Sequence, residues 1–126
     1  MVSREVVGRI LKTYGEAWVN QDVNKILSIF AKDGVYHERV LEKPFVGHKE
    51  IQAYWQRKVV DEQSDIKFKL LKVYIDGDAV IAEWEAWFNN NTEKARLHMK
   101  EVAILEIKND KIKSLREYWR SEILKK

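Results

Sequence analysis

The alternation of apolar residues between Ala95 and Ile107 constrains the fold of this chain more than any other feature. Every second position belongs to one buried strand face, which consists of Ala95, Leu97, Met99, Glu101, Ala103, Leu105 and Ile107. Glu101 is the exception on that face, and it must be paired, protonated or facing a cavity, because an isolated buried carboxylate is very costly. The Asn109-Asp110 turn then predicts a returning strand that ends at Trp119.

The returning strand does not follow a simple alternation. Ile112 continues the inner face, whereas Leu115 and Trp119 have the opposite parity. A bulge near Lys113-Ser114 resolves this conflict and is the favoured interpretation. It directs three side chains inwards, which are Leu115, Glu117 and Trp119. Without the bulge, Tyr118 would lie opposite the inner acid instead.

Helical spacing predicts three helices before the long strands. The first runs from about Ser3 to Asn20. The second begins after Asp22, a good N-cap residue, and ends at Asp33-Gly34. A short strand from Val35 to Val40 follows, and the third helix begins at His48.

The remaining strands predict a bent sheet. A switch of parity at Leu70-Leu71 indicates another bulge, and Asp76-Gly77-Asp78 is a hairpin turn into a strand from Val80 to Phe88. The order of elements predicts one α+β domain over residues 1–126, with three N-terminal helices packed on a strongly curved, mainly antiparallel sheet. Residues 95–119 should be central in that sheet. Such a fold is a cone whose mouth can hold a small ligand.

Composition excludes several kinds of function. The chain of 126 residues has no cysteine and a net charge of +3 without a concentrated basic patch, so neither thiol chemistry nor nucleic-acid binding is expected. Its three histidines lack metal-ligand spacing, and no glycine-rich phosphate loop is present, so we expect no metal and no cofactor. No apolar run is long enough to cross a membrane, and no signal-peptide pattern is visible, so a cytoplasmic location is expected.

Several local motifs resemble the nuclear transport factor 2-like superfamily, particularly its SnoaL-like branch and ketosteroid isomerase. The resemblance covers almost the whole chain. It rests on residues 14–22 (YGEAWVNQD), 30–38 (FAKDGVYHE), 44–51 (PFVGHKEI) and the closing Tyr118-Trp119. The superfamily places isomerases, dehydratases, epoxide hydrolases, cyclases and non-catalytic binders on one scaffold.

The resemblance to the isomerase implies roles for individual residues. Tyr14 falls where the isomerase has a tyrosine that donates a hydrogen bond to a substrate oxygen. Glu38 falls at the position of the carboxylate base. The position of the second acidic donor carries Ala103 here, and the nearest inward acid is Glu101.

These observations give a candidate site in the cone. The catalytic candidates are Glu38, Tyr14 and Glu101, because close carboxylates in a partly dry pocket shift one another's pKa towards neutrality. The candidate ligand-binding residues are Trp18, Tyr54, Trp55, Trp84, Met99, Glu117 and Trp119. The alternatives are that Glu38 and Glu117 are solvated rim residues, and that Tyr14 and the aromatic residues only pack the core.

Two classes of function fit this site. The first is a small-molecule-binding protein with cofactor-free acid/base activity of the isomerase, dehydratase or cyclase type, acting on a hydrophobic ring or carbonyl compound. The second is a non-catalytic ligand-binding or protein-interaction domain. A small apolar or aromatic ligand is the expected partner, together with a second copy of the chain. That homodimer would form through the outer sheet face, which carries Ile81, Trp87, Val102 and Ile104.

Overall fold

Three α-helices, one π-helical segment and six strands form the fold over residues 2–124, which are the residues that the computed structural model describes. The helices are α1 (Arg4–Val19), α2 (Val23–Ser28) and α3 (Gly47–Trp55), and the π-helical segment Gln56–Asp61 follows α3. The strands are β1 (Phe30–His37), β2 (Phe45–Val46), β3 (Gln63–Asp76), β4 (Ala79–Asn90), β5 (Ala95–Lys108) and β6 (Lys111–Leu124).

The strands form a single curved sheet in the order β2-β1-β6-β5-β4-β3, and the helices pack on its concave face. All neighbours are antiparallel except β1 and β6, which run parallel. The hairpin of β5 and β6 occupies the two middle positions. This arrangement confirms the predicted α+β class, the mainly antiparallel sheet and the central position of residues 95–119.

Both predicted bulges are present. In β3 the register shifts between Leu70 and Lys72. Between β5 and β6 it shifts so that Lys113 is the extra residue. Glu117 therefore points inwards and is 6% exposed, whereas Tyr118 is 47% exposed on the other face. This confirms the favoured interpretation of the returning strand.

The predicted bounds of the second helix and the first strand were wrong. The helix ends at Ser28 and the strand already begins at Phe30, so Asp33-Gly34 lies inside the strand. Pairing with the last strand explains the difference, because the Ile112 amide donates to the Ile29 carbonyl at 2.7 Å. A contact between residues so distant in sequence overrides the local helical pattern.

Helix α1 approaches β3 closely because Gly15 has no side chain. A Cβ atom at this position would lie 2.6 Å from Cδ1 of Phe68. The close contact directs Tyr14 and Trp18, on the same helix face, into the interior, where both are buried. Among residues 2–124, no helix is sufficiently long and apolar to traverse a lipid bilayer.

Candidate functional site

A cavity of about 340 Å³ lies between the helices and the inner face of the sheet. This volume is at the lower end of the range for small-molecule pockets, where a ligand of one or two rings fits. Its wall combines carboxyl groups with aromatic side chains, which include Trp18, Tyr54, Trp55, Phe88 and Trp119. The wall is therefore mixed in polarity, with charge and aromatic surface facing the same space.

Two hydrogen bonds to one carboxyl oxygen close the inner end of the cavity. Tyr14 of α1 donates to Oε1 of Glu117 at 3.0 Å, and Tyr36 of β1 donates to the same oxygen at 2.7 Å. The two tyrosine hydroxyls are themselves 2.9 Å apart. All three side chains are buried. Residues from the first helix, the first strand and the last strand thus meet at one carboxyl oxygen.

Glu101 is the second acid at this end of the cavity. It lies on β5, diagonally across from Glu117 on β6, because Ala103 is the direct partner of Glu117. Burial, the charge of Glu117 and a hydrogen bond to Glu117 raise the pKa of Glu101 well above its ordinary value. The Trp84 indole opposes this rise, although its N–H lies outside hydrogen-bond geometry. Glu101 therefore keeps its proton and shares it with Glu117.

Glu117 is the group of this cluster that titrates near neutrality. Burial raises its pKa to about 7, while the hydrogen bonds from Tyr36, Tyr14 and Glu101 oppose the rise. Burial and the nearby charge of Glu117 raise the pKa of both Tyr14 and Tyr36 well above the ordinary value, so both remain protonated donors. The cluster accordingly holds one proton that can be gained or lost near pH 7.

Glu38 lies nearer the mouth, directly after β1. Its side chain is 11% exposed, and Oε1 lies 3.4 Å from Nε of Arg39. Burial raises the pKa of Glu38, and the positive charges of Arg39 and Lys58 oppose this rise. The Trp119 indole donates to the Glu38 carbonyl at 3.2 Å, which ties this segment to β6.

The aromatic wall is held in place by its own contacts. Nε1 of Trp18 donates to Oε1 of the buried Gln63 at 2.9 Å. Tyr54 stacks on Phe45 with ring centroids 4.5 Å apart. The indole N–H of Trp55 is buried and has no hydrogen-bond partner within residues 2–124.

The structure brings most of the predicted site residues together. The cavity wall includes Tyr14, Trp18, Glu38, Tyr54, Trp55, Met99, Glu101, Glu117 and Trp119. Trp84 differs, because it is wholly buried behind the wall, pairs with Glu101 across β4 and β5, and packs its ring 4.9 Å from that of Tyr14. It therefore supports the wall from behind.

Sequence reasoning missed Tyr36 and Gln63 as members of the site. Alternation along the predicted strand puts Tyr36 and Glu38, two positions apart, on one face, and that shared face was the signal that could have identified Tyr36. Gln63 carried no such signal, because its role depends on the contact with Trp18. Within residues 2–124, no group of three or more histidine, aspartate and glutamate side chains is arranged to hold a metal ion.

The outer face of the same sheet carries a different cluster. His98 contacts Glu85 through Nε2 at 3.0 Å and Glu122 through Nδ1 at 3.1 Å. Its ring stacks on Trp87 with a centroid distance of 4.9 Å. The hydrogen bonds to Glu85 and Glu122 raise the pKa of His98. This cluster faces away from the cavity.

Residues 11–115 match the family model of the SnoaL-like domain. No curated protein matches the sequence significantly. Among solved structures, the epoxide hydrolase/cyclase-like enzyme SalBIII, which has a role in pyran ring formation in the polyether salinomycin, is 18% identical with a TM-score of 0.80. The alignment covers 93% of this chain and 95% of that chain.

Two further structures share the fold. A putative SnoaL-like polyketide cyclase from Shewanella denitrificans is 13% identical with a TM-score of 0.78, covering 93% of this chain and 92% of that chain. A hypothetical protein with a ketosteroid isomerase-like fold from Catenulispora acidiphila, in complex with trimethylamine, is 20% identical with a TM-score of 0.77. That alignment covers 86% of this chain and 83% of the other. At such identities the likeness shows a shared fold.

Proposed function

Because this chain belongs to the SnoaL-like domain family, we propose that it binds a small ring or carbonyl compound in its cavity and catalyses cofactor-free proton transfer on it. The observation that carries this proposal is the buried carboxyl group of Glu117, which two tyrosine hydroxyls hold beside a second acid. Since burial brings the pKa of Glu117 to about 7, this group can both give and take a proton near neutral pH.

The proposed roles follow from position and protonation. Glu38, near the mouth, removes a proton from the carbon next to a substrate carbonyl, and the electron pair of that C–H bond moves to the carbonyl oxygen. Protonated Glu117 donates a hydrogen bond to this oxygen, with Tyr14 and Tyr36 supporting it. Glu101 retains its own proton and polarises Glu117. Return of the proton from Glu38 to another carbon completes an isomerisation, whereas loss of a leaving group completes an elimination.

The structural neighbours support a pocket for small molecules on this fold. One is a putative polyketide cyclase and another is an epoxide hydrolase/cyclase-like enzyme. A third holds trimethylamine. These activities and ligands belong to those proteins, and they make ring-forming or ring-opening chemistry the reaction type to test here.

Deuterium exchange tests the proposal without knowledge of the natural substrate. Cyclohexanone, 1-indanone and 2-tetralone are incubated with the protein in D₂O, and NMR follows the loss of the proton signal next to the carbonyl. We expect the protein to accelerate exchange of at least one ketone, and Glu38→Gln to reduce that acceleration about 100-fold. Glu106→Gln is the matched control, because Glu106 is an exposed glutamate on the opposite face of β5. No acceleration with any ketone, or full activity in Glu38→Gln, would contradict the proposed roles.

Binding without catalysis is the second candidate, and one observation favours it. Glu38 already lies 3.4 Å from Arg39, and this neighbouring charge opposes the rise that burial gives to the pKa of the carboxyl group. A purely binding protein would be stabilised by ring compounds in a thermal-shift assay and would leave their exchange rates unchanged.

We also infer that two copies associate through the outer sheet face. Four half-buried apolar residues share this face, namely Ile81, Trp87, Val102 and Ile104. Tyr74 and Tyr118 extend the patch and are 55% and 47% exposed. Light scattering should give a dimer mass at micromolar concentration and a monomer mass for Ile104→Glu, because a buried charge opposes association. A monomeric parent protein would contradict this inference.

A further inference from the structure

The wall of the cavity has the opposite charge to the chain as a whole. The chain has a net charge of +3. The cavity wall nevertheless contains Arg39 and Lys58 as its only lysine or arginine residues within residues 2–124, against a larger set of acids. Those acids are Glu38, Glu62, Glu93, Glu101 and Glu117, whereas the carboxylate of Glu122 is paired with His98 in the outer cluster. The cavity therefore concentrates carboxyl groups in a protein that is otherwise basic.

The two cations of the wall do not remove this excess. Arg39 lies 3.4 Å from Glu38, and Lys58 lies 3.6 Å from Glu62. Each is thus matched by one carboxylate. Although Glu101 keeps its proton, the remaining carboxylates leave negative potential in the cavity, and its low-dielectric walls strengthen that potential.

Aromatic surface accompanies this negative potential. Tyr54 lines the cavity together with Glu38, Glu101 and Glu117, and burial followed by the charges of these acids raises the pKa of its hydroxyl. Trp119 already has a cation on its ring, since the Arg39 guanidinium carbon lies 5.2 Å from the ring centroid. Rings bordered by carboxylates are the type of surface that recognises organic ammonium groups.

We propose that the ligand of this cavity is an organic cation, a protonated or quaternary amine attached to an apolar group, with its charge held by Glu117 and by Glu38 and the ring of Trp119, from which it displaces Arg39. The inference rests on the proposed function, because it assigns a ligand class to the same cavity. It changes one role: beside a bound cation Glu117 is ionised, so the hydrogen bond to a substrate oxygen comes from Tyr14 instead. An anionic ligand is the rival, since Arg39 and Lys58 also face the cavity. The existing ion pairs of both cations argue against it.

Ligands of the same shape and different charge test this inference. The cation is (3-hydroxyphenyl)trimethylammonium, the neutral isostere is 3-tert-butylphenol, and the anion is 3-hydroxybenzenesulfonate. Calorimetry at low ionic strength should show the cation binding about tenfold more tightly than the neutral isostere. The indole N–H signals of Trp18, Trp55 and Trp119 should shift on binding, and that of Trp87 on the outer face should not.

Variants test which carboxyl groups cause the preference for the cation over the neutral isostere. Glu117→Gln and Glu38→Gln should each reduce the ratio of cation to neutral affinity several-fold, because each removes negative charge near the ammonium group. Glu106→Gln, on the outer face of β5, should leave the ratio unchanged. Two independent glutamates are tested, so a folding defect in one variant does not prevent a conclusion.

A second readout comes from the protons that binding releases. Tyr14, Tyr36, Glu101 and Glu38 surround Glu117, and a cation added beside it favours its ionised form. Calorimetry at pH 7 in buffers of different ionisation enthalpy should therefore show proton release with the cation and none with the neutral phenol.

Three outcomes would overturn the inference. Equal or tighter binding of the neutral isostere would do so while leaving a small-molecule pocket in place. Tightest binding of the sulfonate would show that Arg39 and Lys58 determine the ligand class. If no compound of the three binds at millimolar concentration, both this inference and the proposed pocket function fail together.

Discussion

The two faces of β5 favour opposite charge states of their ionisable side chains, neutral on the inner face and charged on the outer face. On the inner face, burial raises the pKa of Glu101, and its proton is shared with Glu117. On the outer face, only three residues away, His98 contacts two carboxylates, and these raise the pKa of the imidazole. The inner acids resist ionisation because they are away from water. The outer histidine favours ionisation because opposite charge is close.

This difference shows that the environment of a face, and not the residue type alone, decides whether a group can do acid/base work. A carboxylate such as Glu122, with a side chain 67% exposed, is paired and solvated. A carboxyl group such as Glu117 is held by donors in a dry site. Salt should weaken the outer interactions and leave the inner cluster largely unchanged, since screening acts mainly on exposed charges.

The largest expected effect concerns the pH dependence of stability. The pKa of Glu117 is about 7 in the folded protein against 4.5 ordinarily, so its contribution is fully present below about pH 4.5 and is lost as the pH rises through 7. The free energy of unfolding should fall by about 3 kcal/mol on this account. Denaturant midpoints at pH 5 and pH 8 measure the total fall, to which Glu101 adds because its pKa is also raised, and Glu117→Gln should remove the part that Glu117 contributes.

His98 also makes the free energy of unfolding fall as the pH rises, because its pKa is raised in the folded protein as well. His98→Asn therefore serves as the control, and it should leave most of the fall in place. Stability that is constant or rises between pH 5 and pH 8 would contradict the inner cluster.

Substitutions of Glu101 test whether this inner-face acid donates a hydrogen bond to Glu117. Glu101→Gln keeps a donor towards Glu117, so stability should stay within about 1 kcal/mol of the parent at low pH and exceed it at pH 8, where the parent must keep Glu101 protonated. Glu101→Leu removes the donor and should be about 1–3 kcal/mol less stable than Glu101→Gln at pH 8, where Glu117 is ionised, with a smaller difference at pH 5. Urea unfolding at both pH values checks this pattern. Equal stability of the two variants at pH 8 would show that Glu101 and Glu117 do not share a proton.

Two glycines of α1 allow its two sides to be compared: Gly15 lies on the side that packs on β3, and Gly8 lies on the open side. Gly15→Ala should destabilise the protein by about 1–3 kcal/mol, because the new Cβ would lie 2.6 Å from the Phe68 ring. At Gly8 a Cβ atom would meet nothing within 4 Å, so Gly8→Ala should stabilise by about 0.5–1 kcal/mol. Thermal unfolding of both variants tests the pair. Equal effects would contradict the close approach of α1 to β3.

The smallest effect is expected at the outer cluster. Glu122→Gln should change stability by less than about 1 kcal/mol, since the side chain is largely exposed. It should also lower the pKa of His98, because one of the two hydrogen bonds that raise it is weakened. An NMR titration of the His98 ring follows this change. An unchanged pKa would show that the contact with Glu122 does not form in solution.

Much of the fold was readable from local patterns. The inward direction of Glu101 followed from strict alternation along β5. The inward direction of Glu117 followed from one bulge, which the conflict between Ile112 and Leu115 required. These predictions succeeded because a strand with one buried face tolerates no slip of a single residue.

The failures share a physical cause. The early end of α2 depends on the pairing of β1 with β6, and the position of Trp84 behind the cavity wall depends on packing across β4 and β5. The meeting of Tyr14, Tyr36 and Glu117 joins residues from three distant parts of the chain. Alternation gives the face of a side chain but not its distance from another strand, so no local pattern contains these contacts.

An NMR titration of the glutamate side-chain carboxyl carbons tests the central claim most directly. In ¹³C-labelled protein we predict that the Glu117 signal titrates near pH 7 and that the Glu101 signal remains in its protonated position beyond that pH. Glu117→Gln and Glu101→Gln assign the two signals. Titration of every glutamate below about pH 5, close to the ordinary value, would contradict the account.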